Sequence, residues 1–106
     1  MVHVTEISYN KSLQLDCIFR YKEDLCDDEL ARIILMMKGC TLTHLDIGFC
    51  KLITDKSLKI IAENAKMIVD LRISWLPNIT DYGILFISVN CVYLRFTAFI
   101  PIGFNN

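Results

Sequence analysis

Apolar residues recur along this chain at a fixed spacing of 26 positions. Thr54 and Asp55 return as Thr80 and Asp81 at the same spacing, whereas most of the residues between the repeated positions change. The matched apolar positions of the first copy are Leu42, Leu45, Ile47, Ile53, Leu58, Ile61 and Ala65, and those of the second are Ile68, Leu71, Ile73, Ile79, Ile84, Ile87 and Cys91. A constant period of about twenty to fifty residues is typical of stacked repeat units.

Each copy predicts a strand, a turn and a helix. Leu45 and Ile47 alternate with polar residues, which suits a short strand with one buried face. Thr54 and Asp55 supply side-chain oxygens that accept hydrogen bonds from the unpaired amides of a helix start. The apolar residues after Asp55 then recur at three- and four-residue spacing, as on one face of a helix.

Two weaker units flank this pair. On the N-terminal side, aligning Leu25 with Ile53 and Leu15 with Leu45 gives offsets of 28 and 30, so we expect a loop two residues longer there. The C-terminal unit has a strand-like start and no helix, so we expect the sequence to be a fragment, a truncated gene model or part of a larger receptor. We predict one domain over residues 1–106, with units at 13–40, 41–66, 67–91 and 92–106.

Three short motifs resemble a known repeat family. Residues Leu42 to Cys50 read L-x-x-L-x-I-x-x-C, residues Ile79 to Gly83 read I-T-D-Y-G, and residues Cys91 to Leu94 read C-V-Y-L. These motifs resemble the cysteine-containing leucine-rich repeats, best known from F-box proteins that serve as substrate receptors of cullin-RING ubiquitin ligases. The resemblance implies an α/β leucine-rich repeat solenoid of about three strand-turn-helix units plus a partial fourth, with a parallel sheet on its concave face.

The resemblance also implies a function in protein binding. A protein target would bind the concave strand face, while a Skp-family adaptor and a cullin would be reached through an F-box that residues 1–106 do not contain. The alternative is a leucine-rich repeat scaffold or regulator that acts without the ligase. An F-box encoded upstream of Met1 in the full-length transcript would discriminate between the two.

Composition and charge narrow the classes of partner. Hydrophobic residues make up 54% of the chain, as expected for a packed domain. The net charge of −1 and the pI of about 6.0 give no basic field for nucleic acid or for an anionic membrane surface. We therefore predict no nucleic-acid partner and no membrane partner. Separately, we predict no cofactor.

The five cysteines are an odd number at spacings unlike those of a small secreted disulfide framework. We interpret them as reduced thiols in buried turn positions and expect a cytoplasmic or nuclear protein. Zinc binding by Cys40, His44 and Cys50 is the alternative, but their spacing matches no common zinc pattern. The sequence also contains none of the phosphate-loop, H-E-x-x-H or G-x-S-x-G motifs, so we expect no metal site and no enzyme activity.

The strand positions that point away from the core define a candidate binding surface. His44 should lie beside Asp70, and Asp46 should lie beside Arg72, where the second pair brings opposite charges together. Phe49 should lie beside Trp75 at the rim of this face. A tryptophan there has the character of a binding hot spot, although it could also cover the neighbouring turn. The predicted partner-binding residues are His44, Asp46, Phe49, Asp70, Arg72 and Trp75.

Overall fold

The computed structural model describes the backbone of residues 6–9, 14–37 and 41–95, and side chains over most of that range. Cys40 and residues 96–106, which belong to the zinc alternative and to the partial fourth unit, lie outside the described residues. The elements of the described part are β1 (Glu6–Tyr9), β2 (Gln14–Ile18), α1 (Asp27–Met36), β3 (Thr41–Asp46), α2 (Asp55–Asn64), β4 (Asp70–Arg72) and α3 (Asp81–Asn90).

The strands form one sheet in the order β1-β2-β3-β4. Strands β2, β3 and β4 are parallel, and helices connect them, so the predicted α/β class with a parallel sheet is confirmed. Strand β1 pairs antiparallel with β2 and was not predicted. Beyond β4, Arg95 makes a parallel bridge with Asp70.

The register between β2 and β3 corrects one alignment. Cys17 lies opposite Leu45, and Leu15 lies opposite Leu42, so the predicted match of Leu15 with Leu45 was wrong by two residues. The register shifts between Leu15 and Asp16, where β3 contains one more residue than β2. After this irregularity the offset of 28 that relates Leu25 to Ile53 also holds for the end of the strand.

Facing side chains of the strands and helices form one buried core. Phe19, Ile47 and Ile73 follow the three parallel strands and are each 0% exposed. Leu58 and Ile61 of α2 are equally buried and belong to the same cluster. Complete burial of a side chain of this size contributes about 1.5–3 kcal/mol, so the repeated apolar positions fix how each strand lies against its helix.

Threonine side chains cap the N-termini of two helices, α2 and α3. Thr54 accepts a hydrogen bond from the Lys56 amide at 3.2 Å, and Thr80 accepts one from the Tyr82 amide at 3.3 Å. Both threonines have extended backbones, as N-cap residues do. The two threonines thus have the predicted role at helix starts, whereas Asp55 accepts its hydrogen bonds from Thr80 at the start of the next helix.

Aspartates link each helix to the next. The Asp27 carboxylate accepts hydrogen bonds from the Thr54 amide at 2.9 Å and the Thr54 hydroxyl at 2.6 Å, and Asp55 bonds Thr80 in the same way. Partial burial raises the pKa of Asp27, but hydrogen bonds from Ser57 and Thr54 outweigh burial and hold that pKa below its usual value. The same contact therefore recurs between successive units.

Helix α3 has an apolar outer surface. Tyr82, Leu85 and Val89 are between 61% and 83% exposed. The helix is only 10 residues long, and no helix in the described ranges is long and apolar enough to cross a membrane.

Candidate functional site

The predicted surface positions lie on the strand face opposite the helices. His44 pairs in register with Asp70, and Asp46 pairs with Arg72, which confirms the predicted neighbours. His44 and Arg72 are exposed, whereas Asp46 and Asp70 are half-buried. These four residues, together with Cys17, Ile18 and Leu45, line an open groove of about 260 Å³.

The charges of this face are paired differently from the prediction. Asp46 lies opposite Arg72, but its carboxylate pairs with Arg20 at 3.4 Å, while Arg72 pairs with Asp70 through Nε and Nη2 at 3.4 Å each. The expected Asp46–Arg72 ion pair is therefore corrected. Hydrogen bonding with Asp70 raises the pKa of Arg72, so the guanidinium stays charged.

Gly48 lies directly against the Arg20–Asp46 pair. A Cβ atom on Gly48 would lie 2.9 Å from Arg20 Nη1 and 3.2 Å from Asp46 Oδ1. The Gly48 amide also donates to Asp46 Oδ1 at 2.9 Å, which holds the carboxylate toward Arg20. A side chain at position 48 would therefore crowd both members of this ion pair.

Three aromatic residues line the rim of the strand face, and we call them the aromatic row: Tyr21, Phe49 and Trp75. The Tyr21 and Phe49 ring centroids are 4.7 Å apart with planes inclined by 17°, and those of Phe49 and Trp75 are 6.3 Å apart and inclined by 6°. The predicted contact of Phe49 with Trp75 is confirmed. Tyr21 and Trp75 are 63% and 55% exposed, so the row presents an aromatic surface to solvent.

Arg20 connects the aromatic row with the charged groove. Its guanidinium carbon lies 5.5 Å from the Tyr21 ring centroid and 5.0 Å from that of Phe49, within the range of cation–π attraction. The same guanidinium pairs with Asp46. One arginine thus orients two rings and one carboxylate.

The backbone of the aromatic row is left-handed. Tyr21, Phe49 and Trp75 have φ angles of 68°, 61° and 55°. Tyr21 is the third residue of the four-residue turn after β2, which is closed by a hydrogen bond from the Lys22 amide to the Phe19 carbonyl. Phe49 has the same position in the turn after β3, which is closed by a hydrogen bond from the Cys50 amide to the Ile47 carbonyl. Glycine is the usual residue in such a position, because a side chain there costs about 1–2 kcal/mol.

Sequence reasoning missed Tyr21 and Arg20. The alignment of Leu15 with Leu45 placed the N-terminal unit two residues out of register. Applying the offset of 28 from Leu25 and Ile53 to the strand would have matched Tyr21 with Phe49. The signal was present in the sequence, but the register shift in β2 obscured it.

The described cysteines include two buried thiols at the ends of a turn and a helix. The Cys50 thiol donates to the Phe19 carbonyl at 3.1 Å, and Cys91 donates to the Ala65 carbonyl at 3.8 Å. Burial raises the pKa of Cys50 to about 11 and also raises that of Cys91, so both stay protonated at neutral pH. These contacts agree with the predicted packing role of the thiols.

Metal ligands do not cluster in the part of the chain that the structure describes, which excludes Cys40. Among those residues, no three His, Cys, Asp or Glu side chains form a group that could hold a metal ion. Comparison of the sequence with family models and with curated proteins gave no match.

Proposed function

We propose that this chain is a leucine-rich repeat solenoid that binds a protein target on its concave strand face. Two observations support the architecture. Strands β2, β3 and β4 pair in parallel in chain order, and the Asp27–Thr54 bridge between helices recurs as Asp55–Thr80. A unit that makes the same contact with each neighbour is the basis of a stacked array.

The aromatic row is the observation that carries the binding function. Its three residues have large side chains and a left-handed backbone conformation, which glycine would adopt without strain. Ring stacking contributes about 0.5–1.5 kcal/mol per pair and offsets only part of this cost. Strained residues that cluster at one surface are typical of functional sites, and binding of a partner accounts for large exposed rings in place of glycine.

The residue types of this surface fit a protein partner. Tryptophan, tyrosine and arginine are the residues most enriched in binding hot spots. All three types occur together here, in Trp75, Tyr21, Arg20 and Arg72. The proposed role is that of a binding module without catalysis, similar to the substrate-recognition repeats of F-box receptors of SCF-type ubiquitin ligases.

A capture experiment with matched variants tests this proposal. The tagged chain is expressed in its native cell, and proteins recovered with the wild type are compared with those recovered with Trp75→Gly. Glycine removes the ring while accepting the left-handed backbone, so the variant should fold. Tyr82→Ala is the control, since it removes an exposed ring from α3, away from the strand face.

The expected result is a protein recovered at near-stoichiometric level with the wild type and with Tyr82→Ala but reduced about tenfold with Trp75→Gly. Equal recovery with the wild type, Trp75→Gly and Tyr82→Ala would contradict binding at the aromatic row. A Skp-family adaptor and a cullin among the recovered proteins would support the ligase function. Trp75-dependent recovery of another protein without them would favour the scaffold.

A further inference from the structure

In the two ion pairs described on the strand face, the arginines are more exposed than the carboxylates. The side chains of Arg72 and Arg20 are 49% and 33% exposed, whereas their partners Asp70 and Asp46 are each only 13% exposed. The carboxylates lie deeper in the groove, and the guanidinium groups project from it. At these two ion pairs an approaching molecule therefore meets positive charge first.

Arg72 keeps unused hydrogen-bond donors. A guanidinium has five N–H donors, and Asp70 accepts from only the Nε and Nη2 groups of Arg72. Within residues 17–37 and 42–95, no other group accepts a hydrogen bond from Arg72. Its remaining donors have the fork geometry that matches a carboxylate.

Trp75 is the member of the aromatic row without a cation on its ring. Arg20 lies over Tyr21 and Phe49, and within the described side chains no cation lies over Trp75. Trp75 is also the last ring of the row in the described residues and is 55% exposed. It can therefore accept a further planar apolar group, such as an aromatic side chain or a proline.

Together these features indicate which class of partner the strand face binds, and this inference rests on the proposed binding function. We infer that the strand face binds an acidic segment of a protein, with a carboxylate on the open edge of Arg72 and an aromatic or proline side chain against Trp75. A basic segment is disfavoured, because its charges would meet Arg72 and Arg20 before they reached Asp70 and Asp46.

Selection from a library of short random peptides tests this inference. The complete chain is the bait, and peptides that also bind Trp75→Gly are discarded. The affinity of those selected peptides that lack tryptophan is then measured from the fluorescence of Trp75, the single tryptophan of the chain, at low and physiological salt. Arg72→Gln is the test variant, and Arg32→Gln on the exposed side of α1 is its matched control.

The expected peptides are enriched in Asp or Glu together with Phe, Tyr, Trp or Pro. Arg72→Gln should weaken their binding about tenfold, Arg32→Gln should not, and added salt should weaken binding to the wild type. Trp75-dependent peptides that are basic or uncharged, or an unchanged affinity in Arg72→Gln, would overturn the inference while leaving the strand face as a binding surface. Failure to obtain any Trp75-dependent peptide would overturn it as well, whereas the proposed function is judged separately by the capture experiment.

Discussion

Replacing Gly83 with alanine should favour the helical conformation of α3 but disturb its contact with α2. Gly83 lies in the first turn of α3, where alanine would ordinarily stabilise the helix by about 0.8–1.0 kcal/mol. Here a Cβ atom would lie 2.6 Å from Leu58 Cδ1 and closer still to Asp55 Oδ1. The side chains of Leu58 and Asp55 must therefore move. The Asp55 carboxylate is the group that accepts hydrogen bonds from Thr80 at the helix start.

The magnitude follows from the bonds that Asp55 makes. Displacing its carboxylate breaks hydrogen bonds from the Thr80 amide and hydroxyl. Hydrogen bonds to a charged group contribute about 1.5–3 kcal/mol each, and the lower value applies at this exposed position. The loss of about 3 kcal/mol exceeds the gain in propensity, so Gly83→Ala should lower the free energy of unfolding by about 2 kcal/mol.

Urea unfolding followed by circular dichroism measures this effect. A double-mutant cycle with Asp55→Ala tests its cause, because Gly83→Ala should no longer lower stability once the carboxylate is absent. Ser88→Ala, an exposed change on the same helix, is the control and should alter stability by less than about 0.5 kcal/mol. If Gly83→Ala stabilised the protein, or cost the same without Asp55, the inferred contact between units would be wrong.

Three further results are expected. Trp75→Gly should be more stable than Trp75→Ala by about 1 kcal/mol in urea unfolding, because glycine adopts a φ of 55° without strain; equal stability would refute this explanation. Iodoacetamide should label partly exposed Cys26 well before Cys50, whose pKa is raised to about 11, and peptide mass spectrometry would show the order; equal rates would refute it. Because the folded state lowers the pKa of Asp27, its contribution to stability is complete above the pKa of the unfolded chain and is lost as pH falls through the folded pKa. Asp27→Asn should therefore lose less stability than the wild type between about pH 5 and pH 2, and parallel losses would contradict this.

The repeated spacing predicted the middle of the fold well. The 26-residue offset matched Asp46 with Arg72 and Phe49 with Trp75, and both pairs are neighbours in the structure. This worked because β3 and β4 pair in parallel with a constant register, so a sequence offset becomes a spatial one. The helix starts at Thr54 and Thr80 followed from the same repetition together with the chemistry of N-caps.

Features that depend on departures from the repeat could not be predicted in this way. The register shift after Leu15 hid the correspondence of Tyr21 with Phe49. The partner of Asp46 depends on the reach of Arg20 across Gly48, which is a matter of three-dimensional space and has no periodic signature. Left-handed φ angles at aromatic residues were equally unexpected, since turn chemistry favours glycine there.

The central claim is that the aromatic row is a protein-binding surface, and the fluorescence of Trp75 tests it most directly. The chain has one tryptophan, and it is 55% exposed in the unbound protein. When a partner recovered in the capture experiment is added, the account predicts that Trp75 emission shifts to shorter wavelength and that quenching by acrylamide falls severalfold, because the ring becomes covered. A partner that binds the chain while Trp75 emission and quenching stay unchanged would place the binding surface elsewhere and contradict the account.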